Sequence, residues 1–213
     1  MTDRRDNYLT RAARALKNTF SLLREGRIGE ALVFLRRKLW TVSDTVVFER
    51  RAGEANPEQD IPGLKIQTVE RRDAEAHRAA IAKIEAGWDV QNFEGGATCY
   101  LAYLDGEPAG VGWRFPTSRL LVRIGYPPTA VYAGGFHVRE EFRGRGLYPA
   151  MLRALCRDVR PAEALVVVEA GLANRASHRG LVKAGFRVVG RLRTRVIAGM
   201  IVRWSLEPWT SLS

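Results

Sequence analysis

Val138-Arg-Glu-Glu-Phe-Arg143-Gly144-Arg145-Gly146-Leu147-Tyr148 places the end of an apolar extended run, a basic glycine turn and a helix start in immediate succession. That order suits an anion. The first amides of a helix have no intrahelical acceptor, the helix dipole is positive at that end, and glycines let the backbone approach a ligand closely. Arg143 and Arg145 add formal positive charge to the same turn. The turn lacks the span and the Lys-Ser/Thr ending of a Walker loop and is shorter than a dinucleotide-binding fingerprint. Taken alone, it is either a phosphate-sized cradle or an ordinary strand-to-helix turn.

The surrounding pattern alternates strands and helices. Ala130–Val138 is expected to be the strand that enters the turn, and Leu147–Val159 the amphipathic helix that leaves it. Asp105-Gly106-Glu107 separates the β-rich runs Thr98–Leu104 and Pro108–Phe115, and an Asp-Gly pair in that setting predicts a hairpin. Leu64–Val69 is a further strand. Asp73–Ala86 is a helix capped by Asp73, with Ala76, Ala79, Ala80 and Ile84 turned inward. Residues 116–129, with Pro116, Pro127 and Pro128, are expected as a loop or a short element on the acceptor side. Beyond the turn come a buried strand at Ala164–Glu169, a helix at Arg175–Ala184 with Arg179 and Lys183 on its solvated face, and a closing pair at Phe186–Arg193 and Val196–Glu207. The predicted fold class is α/β: a mixed, largely antiparallel central sheet flanked by helices, preceded by a helical extension. The expected division is a basic extension and linker at residues 1–62 and one main domain at 63–213.

Two motifs in this order carry a resemblance. Arg143-Gly-Arg-Gly146-Leu-Tyr148 and Asn174-x-x-Ser177-x-x-x-Leu181-x-Lys183-x-Gly185-Phe186 resemble the two signatures of the GNAT superfamily of N-acetyltransferases, Arg/Gln-x-x-Gly-x-Gly/Ala and Asn-x-x-Ala/Ser-x-x-x-Tyr-x-Lys-x-Gly-Phe. The likeness runs from Gly63 to Glu207. It implies acetyl-CoA, or another acyl-CoA, as co-substrate, with its pantetheine in a cleft where the sheet parts. Phe136, His137, Val138, Arg143, Gly144, Arg145, Gly146, Leu147, Tyr148 and Asn174 would line the cofactor site. Two positions depart from the pattern. Tyr148 stands where the superfamily has a small residue, and Leu181 stands where it has the tyrosine that protonates the leaving thiolate.

Acyl transfer to an amine asks for a group to take the amine proton and a donor for the departing sulfur. Glu169, five residues before Asn174, occupies a position where the resemblance implies a base. His137, beside the expected path of the cofactor, has a side chain suited to proton transfer and is the second candidate. Each has a competing structural reading, as a strand-end carboxylate paired with arginine or as a packed strand histidine. Tyr100 and Tyr103 are donor candidates that serve equally well as core aromatics, and His77 and His178 are expected on the surface. The expected activity is transfer of a short acyl group to the primary amine of a small molecule or peptide. The alternative is a module that binds CoA with weak or no catalysis.

Composition narrows the setting. The chain of 213 residues has 46% hydrophobic and 27% charged residues, a balance that argues for a folded protein. No apolar run approaches the roughly 20 residues that span a bilayer. Cys99 and Cys156 have no neighbours at metal-ligand spacing, so buried thiols are expected and no metal. The net charge is +11, and residues 1–40 carry ten basic against four acidic side chains. Within 8–40, Leu9, Ala13, Leu16, Phe20, Leu23, Leu32, Leu35 and Leu39 recur at helical spacing, which predicts two amphipathic helices. Their basic faces would either stay solvated or meet an anionic partner, lipid included. The expected compartment is the cytoplasm, at the inner membrane surface under the lipid reading. Nucleic acid is not expected, because no basic strand platform with interleaved aromatics is present. Oligomeric state is left open, a dimer included. Under the lipid reading the full chain floats with anionic liposomes and a chain without its leader does not; equal flotation removes that reading.

Overall fold

The computed structural model describes residues 24, 28, 29, 40–55, 60–84, 91–117, 119–161, 164–197 and 200–209. The two helices expected within 8–40 lie outside the described residues, apart from those three positions. Among the described residues no helix is long and apolar enough to cross a membrane.

The elements run β1 (Trp40–Arg51), β2 (Leu64–Val69), α1 (Ala74–Ile84), α2 (Gln91–Glu94), β3 (Thr98–Leu104), β4 (Glu107–Phe115), α3 (Arg119–Arg123), β5 (Val131–Val138), α4 (Leu147–Asp158), β6 (Leu165–Gly171), α5 (Arg175–Lys183), β7 (Arg187–Ile197) and β8 (Met200–Pro208). Every strand and long helix expected from Leu64 onward is present, α3 is the short element allowed within 116–129, and α2 is an addition. Short 3-10 turns occupy Arg71–Asp73 and Glu140–Phe142. The chain divides into two compact units, one of residues 46–190 with 209–213, the other of residues 1–45 with 191–208.

In the larger unit the strand order is β2-β3-β4-β5-β6-β1-β7. The pairs β2–β3, β3–β4 and β4–β5 are antiparallel, and β5–β6 is parallel. The β3–β4 hairpin closes through Asp105 (φ 52°) and Gly106 (φ 84°), both left-handed. An Asp-Gly pair tolerates that geometry, and its twist matches that of the flanking strands. One face of the sheet packs Cys99, Leu101, Val111 and Trp113 against Ile81 and Phe93. The other packs Val46, Phe48, Tyr100, Ala133, Val166 and Val168 against Leu152, Leu155 and Leu181. The run Val166-Val167-Val168 is buried on both sides, as a strand beside a parallel neighbour must be.

Three local expectations are corrected. Asp73 ends a 3-10 turn, with its carboxylate 3.5 Å from Arg72 Nε, and α1 begins after it. The buried residues of α1 are Ala74 and Ile81, while Ala76 and Ala79 are exposed. An alanine-rich helix offers little apolar contrast between its faces, so Ile81, the largest apolar side chain in mid-helix, sets the rotation. Residues 45–50, expected within the extension and linker, belong to a twelve-residue strand, β1, which lies between β6 and β7. Arg50 on that strand is buried, and its guanidinium donates to the Ala184 carbonyl at the C-terminal end of α5 and to Glu54 O. A cation there meets the negative end of the helix dipole.

In the smaller unit, the start of β1 meets the end of β7. Arg191 Nε and Nη2 bind the two Asp44 oxygens at 2.8 and 2.6 Å, and Arg193 lies at 3.4 Å. These contacts hold the Asp44 carboxyl below its usual range, against a smaller opposing effect of burial.

β1 places Val46, Val47 and Phe48 at 1%, 0% and 1% exposure. Each such side chain contributes about 1.5–3 kcal/mol, set against a typical net stability of about 5–15 kcal/mol. A chain that begins at Gly63 is therefore expected to lose its cooperative thermal transition, whereas a chain that begins at Trp40 keeps it. Circular dichroism melts of the two compare them directly.

Candidate functional site

The parallel ladder between β5 and β6 holds only three rows, Val131 with Val166, Tyr132 with Val167 and Ala133 with Val168. Past Ala133, β5 continues to Val138 and β6 to Gly171, with no row recorded between them. The strands diverge there. On its other side β5 stays paired with β4, but the register slips: Val111 faces His137 while Trp113 faces Gly134. Two residues of β5, Gly135 and Phe136, thus oppose Gly112 alone, and Gly135 takes the left-handed φ of 62° that the bulge requires. A Cβ on Gly112 would stand 2.2 Å from the Phe136 ring, so glycine there makes room for that ring.

The turn after β5 has the form its residues imply. Gly144 and Gly146 are left-handed (φ 80° and 82°), and Gly146 caps α4 without a side-chain hydrogen bond. A Cβ on Gly144 would meet nothing within 4 Å, so its requirement is conformational and the space beside it is open. Leu147 and Tyr148 present first-turn amides, and Pro149, having none, removes one donor from the set. Arg143 is exposed and donates through Nε to the Val138 carbonyl at 3.2 Å, with Nη1 3.9 Å from Glu140. The Arg145 guanidinium lies 5.8 Å from the centre of the Phe142 ring. Leu147 is buried in a cluster with Leu104 and Ala109 and anchors the start of the helix.

Tyr148 points sideways, away from the turn. Its ring packs edge-on against Phe136 at 5.2 Å and fills the place where a Cβ on Gly180 would sit, 2.4 Å from Tyr148 Cδ1. Burial raises the pKa of its hydroxyl, and a hydrogen bond to Ser177 opposes that rise. The large residue at the helix start is thus matched by a glycine on α5 and leaves the glycine turn clear. Asn174 caps α5, its Oδ1 accepting from Ser177 N at 3.1 Å, so its amide nitrogen is the donor it offers a ligand. The Tyr148–Ser177 contact brings the first turns of α4 and α5 together.

Glu169 is the first residue of β6 beyond the paired rows and is half-buried. Its charge acts on the hydroxyls of Tyr126 and Tyr132. His137 is exposed, and partial desolvation followed by the charge of Arg143 holds its pKa below the usual histidine range. Leu181 is fully buried. His178, expected at the surface, is 3% exposed: its Nε2 lies 3.1 Å from the Gly171 carbonyl and its ring 5.3 Å from Phe48. Tyr100 is in the core, near Arg114 and Asp158 at the far end of α4, and Tyr103 sits near the β3–β4 turn.

Other groups at the site carry no sequence motif. Tyr126 donates to Glu49 Oε2 at 2.9 Å, and Glu49 Oε1 accepts from Arg187 Nε at 3.0 Å, which ties the segment before β5 to β1 and β7. The adjacent pair Gly134-Gly135 inside a strand is the one signal that announces the bulge. A separate groove of about 470 Å³ lies between α4 and β2, lined in part by Ile61, Leu64, Ile66, Ala150 and Arg157, away from the phosphate turn. Cys99 and Cys156 are buried, and burial pushes both thiols up to about 12. Among the described residues no group of three or more His, Cys, Asp or Glu is placed to hold a metal ion.

Residues 65–186 match the Acetyltransferase (GNAT) family. Among solved structures, a GNAT-family protein from Novosphingobium aromaticivorans aligns with a TM-score of 0.52 at 19% identity, covering 72% of this chain and 63% of that one. A GCN5-related N-acetyltransferase from Sphaerobacter thermophilus aligns with a TM-score of 0.51 at 19% identity, covering 81% and 58%. At such identities the likeness is one of fold. This chain spans about three fifths of the length of those proteins. No curated protein matches it.

Gly144→Ala forces a left-handed alanine into open space, at a cost of about 1–2 kcal/mol. If the turn holds phosphate, calorimetry should show desulfo-CoA binding weakened by roughly five- to thirtyfold, with the fold retained by circular dichroism. Unchanged affinity would show that this turn does not grip the ligand.

Proposed function

Because the chain belongs to the GNAT acetyltransferase family, we propose that it transfers an acetyl or other short acyl group from acyl-CoA to the primary amine of a small-molecule or peptide acceptor. The observation that carries this reading is the coincidence of two features: strands β5 and β6 parting after Ala133 and Val168, and an open, left-handed glycine turn at the end of β5. The gap suits a narrow flexible arm, and the turn suits the diphosphate at that arm's end. The residues fit this co-substrate. Arg145, Gly146, Leu147 and Tyr148 would offer backbone amides and Arg143 charge; Phe136, His137 and Val138 would flank the arm; Asn174 would donate its amide.

Acyl-CoA supplies an activated thioester, and the protein's part is to orient it and manage protons. Glu169 stands at the mouth of the gap as the group that takes the amine proton, directly or through water. His137, whose pKa desolvation and then the charge of Arg143 hold below the usual histidine range, is the second candidate. A second reading rests on Leu181: with an aliphatic side chain there, fully buried, the fold would serve as a CoA-binding module with weak turnover. Thiol release in the presence of an amine panel separates the two readings.

Glu169→Gln keeps the shape and removes the base. Turnover is expected to fall by roughly 10²–10⁴, while the affinity for CoA stays within a few-fold. A rate equal to wild type takes Glu169 out of the mechanism and passes the test to His137→Gln.

A further inference from the structure

Acyl transfer ends with a sulfur leaving from a site shielded from water, and a thiolate in such a place is expensive unless a donor meets it. Leu181 offers no donor, Tyr126 donates to Glu49, and the Tyr148 ring is packed against Phe136 and over Gly180. Tyr132 stands differently. It lies opposite Val167 in the second of the three paired rows, and its ring leans forward along β5 over Gly134. A Cβ on Gly134 would be 3.0 Å from Tyr132 Cε1 and 3.1 Å from Oη, so the hydroxyl lies over Gly134, one residue past Ala133, the last paired residue. Glycine at 134 is what allows this placement.

The surroundings of Tyr132 fit a donor. The Phe115 ring on β4 lies 5.9 Å away and gives an apolar wall. Glu169, two residues beyond Val167 on β6 and so on the same face as Tyr132, is the charged group that acts on it. Burial, followed by the charge of Glu169, keeps the phenol protonated at any physiological pH. A hydroxyl held neutral beside a carboxylate can give up a proton only if it is promptly replaced, and the carboxylate is placed to replace it.

We propose that the Tyr132 hydroxyl, projected over Gly134 into the gap between β5 and β6, donates the proton that the departing CoA sulfur needs. This rests on the acyl-transfer reading above. Glu169 takes a proton from the amine, whose nitrogen forms a bond to the carbonyl carbon. The carbon–sulfur bond breaks, its electron pair stays on sulfur, and Tyr132 protonates that sulfur. Glu169 then returns its proton to the Tyr132 oxygen. The products are an amide and a free thiol, and both side chains end as they began.

The test compares full-length wild type with Tyr132→Phe, which keeps the ring and deletes the hydroxyl. The first readout needs no turnover: the thiol of bound CoA is titrated by its far-ultraviolet thiolate absorbance. A donor at the sulfur stabilises the thiolate, so in Tyr132→Phe the bound thiol should titrate about one pH unit higher. The second readout is kinetic: kcat should fall roughly 10²–10³-fold with the KM for acyl-CoA within a few-fold. If Tyr132→Phe folds poorly, Gly134→Ala serves, because it pushes the intact hydroxyl off its line and should give the same two changes. Unchanged thiol titration with turnover within about threefold of wild type overturns the role of Tyr132 and leaves acyl transfer standing. Wild type that neither binds CoA nor releases thiol with any amine overturns both.

Discussion

Everything at the site depends on two parallel strands that stop pairing. For three rows β5 and β6 share hydrogen bonds; beyond Ala133 and Val168 the ladder ends although both strands continue. An extended chain whose amides and carbonyls lack a neighbouring strand must satisfy them otherwise or pay for their desolvation. A peptide-like arm with its own amides is a natural partner, since it can replace the missing strand. The bulge at Gly135 contributes to the same end. By slipping register against β4 it re-aims Phe136 and His137 without unzipping β5 from its other neighbour.

The glycine turn and the two helix starts follow from that divergence. β5 leads directly to the turn, so whatever lies along the strand arrives at the positive end of α4. Tyr148 would obstruct this route if its ring stood over the turn. It lies instead against α5, in space that exists because residue 180 has no side chain. A departure from the family pattern at one position is thus absorbed by a glycine on another helix, and neither residue can be interpreted without the other.

How much of this was legible in the sequence depended on how local each feature is. The Asp105-Gly106 hairpin and the glycine turn at 143–146 are set by backbone chemistry within a few residues, and the sequence announces them. The place of β1 between β6 and β7 depends on partners more than a hundred residues away, and only its β-rich composition was visible. His178 looks like a surface residue because its helix is otherwise polar; its burial comes from Phe48 and the Gly171 carbonyl, both distant in the chain or in another element. Tyr132 was invisible as a site residue because its proposed role comes from a ring laid over a glycine and from the end of a ladder, neither of which has a motif. Glu169 was found only because a downstream motif fixed where to look.

The position of β1 also bears on how the chain is made. Its partners β6 and β7 are synthesised far later, and the Glu49–Arg187 contact joins residues 138 positions apart. During synthesis, Val46, Val47 and Phe48 therefore leave the ribosome with both strand edges open and no sheet to enter. Late-closing apolar strands are slow to fold and prone to pair with other chains. Yield in the cell should thus be governed by what shields this segment during translation more than by the stability of the finished sheet.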